Sequence, residues 1–78
     1  MPEDKDLLTQ VVLLALLHKE SGESISEVLE MLEEARAMTI KEGKDIISQL
    51  EKDGMIVNNE LSFMGLTMAQ KAQEAFKL

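Results

Sequence analysis

The chain has 78 residues, enough for one small hydrophobic core and too few for a catalytic domain with a regulatory one beside it. Its 8 Lys+Arg stand against 15 Asp+Glu, a formal charge of -7 that opposes nonspecific attraction to DNA, RNA or an anionic membrane. With 45% hydrophobic residues, one proline and no cysteine, the composition is that of a folded chain without disulfides or thiolate metal sites, not of a disordered acidic segment.

The start Met1-Pro2-Glu3-Asp4 has no basic leader character, and the apolar stretch from Val11 to Leu17 is too short to span a bilayer. A cytoplasmic protein without a membrane role is the expectation, folded as a single domain over residues 1–78. The first helix is predicted to begin between Asp4 and Asp6 and to end around His18 to Glu20. Leu7, Leu8, Val11, Val12, Leu14 and Ala15 share one broad face of it at about 100° per residue. Leu13, Leu16 and Leu17 fall outside that face, so the helix is apolar almost all the way round and needs a second covering surface. In so short a chain, another subunit is the expected source of that surface.

Ser21-Gly22-Glu23-Ser24 reads as a break, with Ser24 and Glu27 at capping-box spacing and Ser26 as the alternative cap. The second helix that follows has Val28, Leu29, Met31, Leu32 and Ala35 as its apolar set and Glu27, Glu30, Glu33 and Glu34 on its wet side. Thr39-Ile40-Lys41-Glu42 is a capping box for a third helix, whose Ile46, Ile47 and Leu50 face inward and which Gly54 ends after Asp53. Gly43 lowers the propensity of that helix; either a close approach of the second helix or no packing reason at all accounts for it. Met55-Ile56-Val57 and Leu61-Ser62-Phe63 then form two short strands around Asn58-Asn59-Glu60. A lone hairpin is barely stable in water, so this one is expected to lean on the helices, with a third strand from the residues around Ile25 as an additional support. Thr67, with Gln70 at the reciprocal position, is expected to cap a last helix that buries Met68, Ala72, Ala75 and Phe76.

The third helix runs directly into Leu50-Glu51-Lys52-Asp53-Gly54-Met55-Ile56, then a hairpin, then Leu66-Thr67 at the opening of another helix. From about Leu7 to Phe76 this order resembles winged helix-turn-helix domains of transcriptional regulators. The resemblance implies an α+β fold with a three-helix core, a short β-hairpin wing and a final helix. It also implies a third helix that, in DNA-binding members, lies in the major groove. The positions that would contact DNA are then Thr39, Lys41, Lys44, Gln49 and Lys52, with Asn58 and Asn59 touching the backbone from the wing. This chain departs from the pattern there: between Thr39 and Asp53, Lys41, Lys44 and Lys52 face Glu42, Asp45, Glu51 and Asp53, three against four, a net of -1 without an arginine. Glu60 adds a negative charge to the wing, where a phosphate contact would be needed.

No Walker motif, Gly-rich dinucleotide loop, HExxH or calcium loop is present, so no enzyme, metal or cofactor is implied. His18 is the only histidine and reads as a helix-end residue; the serines near it read as caps and turns. Met64 and Met68 fit either an irregular core or an adaptable binding surface near the hairpin. The resulting expectation is a small acidic winged-helix protein that acts through protein–protein contacts as a regulatory adaptor or accessory subunit. Leu13, Leu16 and Leu17 would support a homodimer or dock a larger protein, and Glu30, Glu33 and Glu34 would meet a basic partner, as a surface imitating DNA charge does. The alternative is a dimeric DNA-binding transcriptional regulator.

Overall fold

The computed structural model describes residues 5–75. Four helices, α1 (Lys5–Leu17), α2 (Ile25–Glu34), α3 (Ile40–Lys52) and α4 (Phe63–Ala75), surround a hairpin of β1 (Ile56–Val57) and β2 (Glu60–Leu61) placed between α3 and α4. The architecture is a three-helix core with a hairpin wing and a final helix, the winged helix-turn-helix arrangement. No helix among the described residues is long and apolar enough to cross a membrane.

Local chemistry explains where each element starts and stops. Ser24 Oγ accepts the Glu27 N–H at 3.1 Å while the Glu27 carboxylate accepts the Ser24 N–H at 2.8 Å, so the capping box forms at Ser24 and Ser26 lies inside the first turn. Thr39 and Glu42 repeat the device at α3, with distances of 3.1 and 2.9 Å. Both helices end in the same way. Past α2, Arg36 N–H reaches Glu33 O and Ala37 N–H reaches Leu32 O; past α3, Gly54 N–H reaches Glu51 O and Met55 N–H reaches Leu50 O. These are paired 5→2 and 6→1 bonds that require a left-handed residue in the middle. Gly54 takes that conformation at φ 79° without cost, whereas Arg36 is held at φ 62° against its Cβ. Arg36→Gly is therefore expected to stabilise the protein by about 1 kcal/mol, read as a rise in the urea midpoint at unchanged slope.

The hairpin is closed by Asn58 and Asn59, both at positive φ (55° and 65°), the two-residue turn whose twist matches the strands and which asparagine tolerates. Ile56 pairs with Leu61 and Val57 with Glu60. The predicted third strand does not form: the described sheet has two strands, and Ile25 opens α2 because Ser24 beside it is committed to the helix cap. The second strand is also shorter than predicted, since Phe63 already belongs to α4.

The cap of α4 is Ser62, not Thr67. Ser62 Oγ accepts the Gly65 N–H at 3.1 Å and donates to Gly54 O at 2.6 Å, so the helix starts directly from the hairpin. Thr67 lies one turn inside it, its hydroxyl donating back to Phe63 O at 3.1 Å.

One cluster of buried residues forms the core, with Val12, Leu13, Leu16, Val28, Leu29, Ile46, Leu50 and Ile56 among its members. Leu13 and Leu16 are 3% and 6% exposed, which corrects the expectation that they await another subunit. The covering surface comes from the same chain. α4 packs on α1 more extensively than any other two elements pack together, and its buried residues Ala69 and Ala72 are small enough to let the two helices approach closely. Leu17 is half-buried at the edge of this contact. The predicted inward face of α2 is narrower than expected: Met31 and Ala35 are exposed, because Val28, Leu29 and Leu32 centre the buried stripe about 100° away from Met31. Met68 and Ala75 of α4 are likewise exposed, and Phe76 lies outside the described residues. Gly43 has its packing reason, since a Cβ there would stand 2.5 Å from Leu29 Cδ2 on α2.

Candidate functional site

The outward face of α3 follows from the buried stripe of Gly43, Ile46, Ile47 and Leu50. Opposite that stripe, Lys41, Lys44, Ser48 and Lys52 fall within about 80° of the helix circumference, all exposed. Folding therefore does bring the three lysines into one strip. Asp45 and Glu51 border it on either side, about 20° beyond its edges, and offset two of its three positive charges.

The other positions expected beside the lysines are used differently. Thr39 Oγ1 accepts the Glu42 N–H and lies 3.3 Å from the Glu42 carboxylate, to which it donates, which commits its hydroxyl to the cap. Gln49 turns toward α1, donating to Asp53 Oδ1 at 3.2 Å and lining a cleft with Thr9, Leu13 and Met68. Asn58 and Asn59 are exposed at the tip of the wing, with Glu60 exposed next to them. On α2, Glu30, Glu33 and Glu34 form an exposed acidic face within about 100° of arc. Glu33 has a structural role as well: its carboxylate accepts the first N–H of α3, from Ile40, at 3.4 Å.

Large apolar side chains are exposed elsewhere. Phe63, at the first position of α4, is 86% exposed, and Met64 and Val57 are each about half exposed. Leu66 is also exposed and borders a cleft with Leu17 and Leu61, and Leu7, Met31 and Met68 are exposed on other parts of the helices. The sequence reading missed Phe63, Val57 and Leu66 as surface residues. A signal was available: counting back from Ala69 and Ala72 at helical spacing places Phe63 with Thr67, Gln70 and Glu74 on the wet side.

Among the described residues no cluster of three or more His, Cys, Asp or Glu is placed to hold a metal ion. His18 is exposed just past the end of α1, its N–H bonded to Leu14 O at 3.1 Å. Comparison of the chain with protein-family models, with curated proteins and with solved structures gives no match in any of the three.

Proposed function

We propose that this winged-helix protein works through protein contacts, as a regulatory adaptor or accessory subunit, and without catalysis. The observation that supports the reading is the distribution of its surface. The strip a DNA-reading helix would present keeps only one positive charge beyond those offset by Asp45 and Glu51, while the largest exposed apolar side chain, Phe63, stands where the wing meets α4. An exposed aromatic flanked on its helix by Met64 and Leu66 is the kind of anchor that protein interfaces bury. The acidic face of Glu30, Glu33 and Glu34 adds long-range attraction for a basic partner. The association surface accordingly moves from Leu13 and Leu16 to the wing and the start of α4.

A second reading, a dimeric DNA-binding regulator, is favoured by the alignment of Lys41, Lys44 and Lys52 along one strip. Sedimentation equilibrium of the protein, alone and with mixed-sequence duplex DNA at about 50 mM salt, separates the two, because phosphate contacts are strongest at low ionic strength. The expected result is no cosedimentation with DNA. Binding that falls steeply with salt and is lost when Lys41, Lys44 and Lys52 are all changed to Gln would establish the second reading instead.

A further inference from the structure

The open side of β2 has the properties of a strand-addition site. Ser62 N–H donates to Met55 O at 2.8 Å, which makes those two residues a hydrogen-bonded pair. Antiparallel pairs alternate between bonded and non-bonded, so Ile56 and Leu61, the next pair, exchange no bonds. The N–H and C=O of Leu61 therefore point away from β1, toward the α1–α2 loop, and no backbone hydrogen bond crosses from them to that loop. Two open clefts, of about 340 and 360 Å³, lie along this edge and meet at Lys19 and Glu60. Their apolar surface comes from Leu16, Leu17, Ile25, Leu61 and Leu66.

We propose that the free edge of β2 takes up an extended basic peptide segment of a protein partner, as an added strand of the wing sheet. The backbone of an extended segment supplies a donor and an acceptor at the spacing Leu61 presents and continues them along the cleft, which favours an extended peptide. Side-chain alternation then sets its pattern. A residue opposite Leu61 turns its side chain to the same face, onto Leu16, Leu17 and Leu66, and must be apolar; its neighbours lie on the face of Glu60, which selects Lys or Arg. The charges around the clefts agree. Glu23 and Glu60 line the clefts against the single cation Lys19, whose ammonium donates to Glu23 O at 2.9 Å, and the exposed Glu20 beside them raises the acidic excess. The same charge argues against a second copy of this chain as the occupant, since each copy carries -7. The proposal rests on the protein-contact reading and specifies its mode.

The test is an NMR titration of the full chain with a capped hexapeptide of alternating valine and lysine. A control peptide is N-methylated at the valines, which removes the edge hydrogen bonds without altering the protein. Saturable movement of the Leu61 amide is expected, with affinity about tenfold or more lower for the methylated peptide and for the exposed-site variant Glu60→Lys. Equal binding of the methylated peptide, or no binding up to about 1 mM, would overturn the proposal. Movement of Phe63 and Met64 with Leu61 silent would overturn the edge mode and leave the protein-contact reading standing. Duplex DNA that moves Lys41, Lys44 and Lys52, while the peptide moves nothing, would overturn both.

Discussion

Gly65→Ala is expected to cost about 3 kcal/mol, the upper end of what forcing one extra carbon into a packed interior costs. A Cβ at this position would run into the Met55 carbonyl oxygen, with the Met55 carbonyl carbon 2.9 Å and Leu61 Cδ2 3.1 Å away. The obstacle is backbone, and that backbone has nowhere to go. Met55 O accepts the Ser62 N–H and Met55 N–H closes the end of α3 on Leu50 O, so moving the peptide breaks the hairpin, the helix terminus or both. Gly43→Ala is the informative contrast. Its clash is with the end of the flexible Leu29 side chain, and alanine recovers up to about 1 kcal/mol of helix propensity, so the net change is expected to stay within about 1 kcal/mol. Urea unfolding of the two variants side by side checks the difference. A chain of 78 residues has a total stability of about 4–12 kcal/mol, so the Gly65 variant loses a large share of it.

Leu13→Ala is expected to destabilise by about 3 kcal/mol while leaving the association state of the protein unchanged. Leu13 is 3% exposed between α1 and α4, so the deletion leaves a cavity inside one chain. A side chain that completed a subunit interface would behave differently: its truncation would change the sedimentation of the protein and make the unfolding midpoint depend on concentration. Thermal or urea unfolding at two protein concentrations, about tenfold apart, reads both effects, and a concentration-dependent midpoint would place Leu13 in an interface after all.

Much of the fold was legible because its signals are local. The capping boxes at Ser24–Glu27 and Thr39–Glu42, the stop at Gly54 and the paired asparagines of the turn each rest on residues within a few positions of one another. The errors arose where distant segments decide. The covering of Leu13 and Leu16 depends on Ala69 and Ala72, more than fifty residues along the chain, and a helical wheel of α1 cannot reveal it. Thr67-x-x-Gln70 looked like a cap because its spacing is right. Ser62 prevails because its hydroxyl finds a tertiary acceptor in Gly54 O, which the spacing alone does not encode. The candidate surfaces follow the same division. The acidic face of α2 and the lysines of α3 were readable from periodicity, whereas the lining of a cleft by Gln49 with Thr9 and Leu13 of α1 depends on how α3 packs against α1.

Ser62 joins three pieces of chain: its hydroxyl donates to the last residue of the α3 turn and accepts from the first turn of α4, while its amide closes the base of the hairpin on Met55. The wing consequently has no hinge at its root. Opening it means releasing the end of α3 and the start of α4 in the same event, so these segments form one cooperative unit whose amides, Met55, Ser62 and Gly65 among them, exchange with solvent at a common opening free energy. Only the Asn58–Asn59 tip, beyond that anchor, can fray by itself, and a ligand gripping the wing transmits its pull to the helix that covers α1.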